Sequence, residues 1–122
     1  MNVPMLALNV RTVGMIGVID LSGEVTSTAE RPLMEAFALA TENQASYVLL
    51  NFTNLNFINS SGIGLLITLL IRARRQQVRL MASGLSDHYR QIFELTRLNE
   101  AFALFTTEEE ALAALEARKG SA

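Results

Sequence analysis

Residues 51–75, NFTNLNFINSSGIGLLITLLIRARR, restrict the possible folds more than any other stretch, because a polar run breaks abruptly into an almost wholly apolar one. Ahead of it, residues 47–52 (YVLLNF) are β-branched and aromatic enough for a core strand, and the turn-rich residues 53–56 predict that the strand ends there. Asn59, Ser60 and Ser61 are residue types that cap helices, since their side-chain oxygens accept from the orphan N–H groups of a first turn. From Gly62 to Ile71 only Gly62, Gly64 and Thr68 are not large apolar residues. Arg72, Arg74 and Arg75 follow, at the end where a helix dipole favours cations. The stretch reads as strand, loop, then a buried helix that begins at the serines and stops after the arginines.

Two roles for the serine pair fit these residues. In one they cap a core helix and do nothing more. In the other, a hydroxyl at the helix N-terminus accepts a phosphate from another enzyme. That group carries about −1.5 to −2 charges, is favoured by exposed N–H groups, and changes what the adjacent surface can dock.

The flanking chain alternates strands and helices. Residues 5–11 and 15–21 are apolar, β-prone runs parted by Thr12, Val13 and Gly14, which predicts a hairpin with Gly14 in or near its turn and the first strand at an edge. Leu21-Ser22-Gly23-Glu24 ends the second strand. Ser27 and Glu30 then stand at capping-box spacing, and Pro32 is tolerable only near a helix start. Leu33, Phe37 and Ala40, flanked by Met34 and Ala38, form a stripe at helical spacing that runs to about Glu42. Residues 43–46 connect to the third strand.

Beyond the apolar helix, Gln76 and Gln77 lead to a fourth strand at 78–82 (VRLMA), and Ser83-Gly84 turns out of it. Ser86 and Asp87 cap a helix carrying Tyr89, Ile92, Phe93 and Leu95, which 98–100 ends. Residues 101–105 (AFALF) suit a short last strand. Thr107 caps a helix over 108–118, acidic at its start and basic at its end, and 120–122 are expected to fray. The order ββαβαβαβα demands right-handed crossovers between parallel strands. The expected product is an α/β domain with a mixed, mostly parallel sheet of four to five strands and helices packed on it.

A chain of 122 residues with no repeat or linker-like stretch suggests one domain over 1–122. Half the residues are apolar and twelve acidic residues outnumber ten basic ones, so neither disorder nor a nucleic-acid-binding surface is indicated. The absence of cysteine removes disulfides, thiolate nucleophiles and Cys-based metal sites. The N-terminus lacks the basic segment and long apolar core of a signal peptide, and an apolar run of about ten residues is too short to cross a bilayer. A soluble, cytoplasmic protein with no direct membrane insertion is expected.

Catalytic constellations are scarce. The one histidine, His88, falls on the first turn of a helix, where a surface or packing role outweighs catalysis. Neither G-x-x-x-x-G-K-[ST] nor G-x-G-x-x-G occurs, and Gly62-Ile63-Gly64 is too short to stand for either. Its glycines allow close approach of backbone to backbone, or of a partner to the helix start. Asp20, Glu24 and Asp87 are each explained by a strand end or cap rather than by a metal, and Glu108 to Glu110 complement a helix dipole. No cofactor, metal or enzymatic activity is expected.

The run Phe57-Ile58-Asn59-Ser60-Ser61-Gly62-Ile63-Gly64 resembles the signature of the STAS domain family of anti-sigma-factor antagonists: a hydrophobic residue, Asp, Ser, Ser/Thr/Ala, Gly, Leu/Ile, Gly. VIDLSGE at 18–24 is similar to that family's second strand, residues 47–57 to its third strand and following loop, and 80–84 with YRQIFELTRL at 89–98 to its fourth strand and next helix. The resemblance covers about residues 5–118. It implies a binding switch, in which the unphosphorylated domain binds an anti-sigma factor that is also a serine kinase, phosphorylation ends the binding, and a PP2C-type phosphatase restores it. Matched position by position, the acceptor is Ser60, with Ser61 as the fallback, and Asn59, Ser60, Ser61, Gly62, Ile63, Gly23 and Glu24 form the partner-binding surface. Asn59 stands where the signature has Asp. That departure keeps a second role open: a constitutive interaction subunit of a stressosome-like scaffold or of a lipid-transport ATPase.

Overall fold

The structure, a computed structural model, describes residues 6–120, with side chains to Ala117. Five strands form one sheet: β1 (Leu6–Val13), β2 (Ile16–Val25), β3 (Tyr47–Ile58), β4 (Arg79–Ser83) and β5 (Ala103–Phe105). They lie in chain order, β1-β2-β3-β4-β5; the first pair is antiparallel and the others are parallel. Four α-helices accompany them: α1 (Glu30–Ala40), α2 (Ser60–Arg75), α3 (Asp87–Leu95) and α4 (Glu108–Gly120). Among the described residues no helix is long and apolar enough to cross a membrane.

Alternation along the strands divides the side chains between two faces. On one, Ile19, Leu21, Val48, Leu50, Phe52, Leu80 and Ala82 pack against Leu33 and Phe37 of α1, Leu65, Leu66 and Leu69 of α2, and Phe93 of α3. Crossovers of a single hand between successive parallel neighbours put all three helices on that face. On the other, Val18, Leu49 and Met81 are covered by Ala111 and Leu115 of α4. β1 is an edge, as expected, and the hairpin turns at Gly14, whose φ of +61° is open to glycine at no steric cost.

Three local expectations are corrected. β3 does not stop at Phe52; it runs to Ile58, and β2 runs beyond Leu21 to Val25. The two extend together through register shifts, pairing Ser22 with Asn54, Gly23 with Leu55, Glu24 with Phe57 and Val25 with Ile58. The polar residues Thr53, Asn54 and Asn56 are thus the solvent-facing part of a bulged ribbon, where turn-like composition and strand geometry coexist, while Leu55 packs against the core. The Ser27/Glu30 capping box does not form, because a 3-10 turn at Ser27–Ala29 delays α1 to Glu30 and neither flanking residue makes a side-chain cap. Nor is α2 wholly buried: Gly62, Leu65, Leu66, Leu69 and Ala73 face the core, whereas Gly64, Ile67, Thr68 and Ile71 face out. Gly120 closes α4; the rest of the expected frayed segment, the strand residue Met5 and the side chain of Arg118 lie outside what is described.

A polar row crosses the face that carries α4: Asn9, Asp20, Asn51 and Ser83 are successive register partners. Arg11 ties this row to α4, donating to both Asp20 oxygens at 2.7 and 2.8 Å and to both Glu108 oxygens at 2.6 and 3.2 Å. Asn51 and Asn9 also donate to Asp20, at 2.8 and 3.3 Å. Hydrogen bonding from Arg11 holds the Asp20 carboxyl down at about 2, against the opposing effect of burial. A carboxyl lowered on folding stabilises above its unfolded value and loses that contribution as pH falls through the folded one. The stability gap between wild type and Asp20→Ala, about 1 kcal/mol at pH 7 for a partly exposed ion pair, should therefore narrow below about pH 4 and close near pH 2. Urea midpoints across that range check it.

Candidate functional site

The start of α2 is built from three segments. Asn59 has extended backbone and its Oδ1 accepts from the Gly62 N–H at 2.8 Å, so Asn59 is the cap and Ser60 the first helical residue. The Asn59 N–H donates to the Val25 carbonyl at 3.3 Å, fastening the end of β3 to the end of β2. Gly62 seats the helix on that junction: a Cβ there would lie 2.8 Å from Ile58 Cγ2 and closer still to the Val25 carbonyl oxygen. Glycine is required here for approach rather than for turning. A third brace comes from α3, where the Ser86 Oγ caps the helix at Tyr89 N and the Tyr89 hydroxyl accepts from the Ile58 N–H at 3.0 Å.

On this foundation Ser60 and Ser61 are exposed, Asn59 and Ile63 are half-buried, and Gly62 is buried. Gly23 and Glu24 are partly exposed in the β2 extension, with Glu24 opposite Phe57, itself 43% exposed. The resulting surface at the sheet end consists of two free hydroxyls at a positive helix terminus, a phenyl ring and one carboxylate. Exposed N–H groups at a helix start of this kind favour an added anion.

The remaining candidates lie elsewhere. His88 is exposed on α3, edge-on to the Tyr89 ring at a centroid distance of 4.9 Å. Asp20 belongs to the Arg11 network and Asp87 is an exposed first-turn residue of α3. Among the described residues no three His, Cys, Asp or Glu side chains gather as a metal site. Glu108 does more than complement the dipole of α4, since it accepts from Arg11; Glu110, as the sequence suggests for a helix start, is engaged at the cap, accepting from Thr106 N while Thr107 Oγ1 accepts from Glu110 N. Tyr89 as a brace and the outward Ile67 and Ile71 escaped the sequence reading. An apolar residue on every turn of α2, more than one buried stripe requires, was the available signal for the last two.

The STAS domain profile matches residues 7–111. The chain is 24% identical over 92 residues to an anti-sigma-B factor antagonist of Listeria monocytogenes, covering 75% of this chain and 81% of the relative. Its fold is similar to that of an anti-sigma factor antagonist from Mycobacterium paratuberculosis, with TM-score 0.78 at 19% identity over 95% of this chain and 99% of the other. The Bacillus cell fate determinant SpoIIAA in its phosphorylated form gives TM-score 0.68 at 26% identity, over 89% and 99% of the two chains.

Proposed function

The chain belongs to the STAS domain family, and on that premise we propose that it is a cytoplasmic regulatory binding protein, an antagonist of an anti-sigma factor, switched off by phosphorylation of Ser60. The observation that carries this reading is the exposed Ser60 hydroxyl at the first position of α2, beside a surface held by the Val25, Gly62 and Tyr89 contacts. A relative of similar fold has been solved in a phosphorylated form, which lends the modification support. The partner is an anti-sigma factor with serine kinase activity, and a PP2C-type phosphatase reverses the mark. The domain binds rather than catalyses.

The physical basis of the switch is desolvation. A partner closing over residues 59–63, Gly23 and Glu24 must strip water from whatever residue 60 carries, and a phosphate dianion is far costlier to strip than a hydroxyl. Ser60→Asp is expected to weaken binding to the kinase at least 100-fold, whereas Ser60→Ala binds like wild type and takes up no phosphate. Mass spectrometry after incubation with kinase and ATP locates the mark, with Ser61 as the alternative acceptor. A chain that stays unmodified at both serines, or a Ser60→Asp variant that binds undiminished, overturns the switch.

Asn59 favours a second reading. Its neutral amide caps the helix but brings no charge to orient a hydroxyl or to assist a cation at the kinase. A constitutive subunit of a stressosome-like scaffold or a lipid-transport ATPase would form complexes that survive Ser60→Asp.

A further inference from the structure

We propose that the docking surface continues from Ser60 along the outward ridge of α2 to its terminal arginines. Its occupant is an amphipathic helix of a partner protein, antiparallel to α2, with an acid-rich first turn beside Arg74 and Arg75. This names the partner element for the binding function proposed above and rests on it.

Ser60, Gly64, Ile67, Ile71 and Arg74 recur every three or four residues and so share one face of α2. Ile67 and Ile71 are 43% and 52% exposed, and half-buried Ile63 and Leu70 border them. Phe57, the other exposed apolar residue near the helix start, alternates with core-facing Ile58 and so points away from this ridge. Among the described residues the other large exposed apolar ones, Met15, Leu39 and Leu95, sit singly in the hairpin turn, α1 and the end of α3. Isolated residues of that kind need no explanation, whereas an aligned set does.

Gly64 gives the ridge its shape. A glycine inside an exposed helix weakens it relative to alanine, and nothing among the described residues requires one here, because a Cβ at Gly64 would meet no atom of them within 4 Å. Gly62, two residues earlier, is the opposite case. The missing side chain at Gly64 leaves a notch in the ridge between Ser60 and Ile67, and on this proposal the partner helix makes its nearest approach there.

Charge selects the occupant. Arg72, Arg74 and Arg75 are all exposed, and among the described residues none of them forms an ion pair. Carboxylates complement them, and helices favour carboxylates in their own first turn. A partner helix that places its first turn at Arg74 and Arg75 and its apolar stripe on Ile71 and Ile67 must run antiparallel to α2, with its C-terminal end reaching Ser60. A membrane surface fits less well. A helix lying in a lipid interface carries a broad apolar face with basic residues along its polar face, whereas here the apolar ridge is narrow and the arginines are confined to one end.

The test titrates the isotopically labelled full chain with a synthetic amphipathic helix bearing glutamates in its first turn, with a version carrying glutamines instead, and with vesicles of phosphatidylglycerol and phosphatidylcholine. The acidic peptide should shift the amide resonances of Gly64, Ile67, Ile71, Arg74 and Arg75, and the glutamine version should bind at least ten-fold more weakly. Ile71→Glu should abolish binding. Gly64→Ala should keep or raise Tm yet bind at least five-fold more weakly, a combination that misfolding cannot produce. The proposal is overturned if the acidic peptide causes no shift on α2, if both peptides bind equally, if Gly64→Ala binds undiminished, or if vesicles rather than peptide engage the ridge. Undiminished binding of Ile71→Glu to the kinase ends the ridge and leaves the Ser60 switch standing. Acidic-peptide binding by a chain that neither binds the kinase nor takes up phosphate does the reverse.

Discussion

Gly62→Ala is expected to destabilise the domain by about 3 kcal/mol, the upper range for forcing a methyl into packed surroundings, and to abolish partner binding even where the protein stays folded. The added carbon would drive into the Val25 carbonyl and the Ile58 side chain, both of which belong to the paired strand ends beneath the helix. The only relief is to lift the first turn of α2, which breaks the Asn59–Gly62 cap and displaces Ser60. The same substitution at Gly64 should stabilise by about 0.5–1 kcal/mol, the usual difference between alanine and glycine in an open helix position. Chemical denaturation of the two variants side by side gives opposite signs from identical chemistry two residues apart. Equal effects would mean that α2 does not sit against β2.

Phe93→Ala should cost about 3–5 kcal/mol, as for other fully buried aromatics. Phe93 is wholly enclosed, with the Phe52 ring edge-on at 6.0 Å and the Phe102 ring tilted at 5.6 Å. Truncation opens a cavity between α3 and the sheet and loses the ring–ring contacts with both neighbours. The loss should show as a lower denaturation midpoint with an unchanged slope. It should also loosen the start of α2, because α3 carries the Tyr89 hydroxyl that receives the Ile58 N–H. Amide exchange at Ile58 would report that loosening separately from global unfolding.

Much of the frame was legible because it rests on local chemistry. Asn59, Ser86 and Thr107 lie within three residues of the N–H groups they cap, so a short window of sequence contains the whole interaction. The strand and helix order followed from periodicity in the same way, and the signature around Ser60 pointed to the family whose profile the chain matches. What the sequence concealed is long-range or depends on pairing. Arg11 and Glu108 are 97 positions apart, and neither has a local pattern that marks the other. Residues 53–56 look like a turn because Thr53, Asn54 and Asn56 meet water, yet their backbone is held by the equally extended end of β2 and Leu55 packs on the core. Composition describes where side chains point; it does not say which backbone hydrogen bonds lie beneath them. In α2, apolar residues on all sides suggested burial, and only the position of the sheet separates the core-facing leucines from the outward isoleucines.

Strand order that matches chain order bears on how the molecule is made. During synthesis every strand after the first emerges to find its neighbour already in place, so no loop must wait for a distant partner before pairing begins, and local closure of this kind favours rapid folding. The β2–β3 ribbon and the helix seated on it span residues 16–75, ahead of α3. The ribbon and its helix therefore emerge before α3, whose Tyr89 hydroxyl then receives the Ile58 N–H and fixes the start of α2.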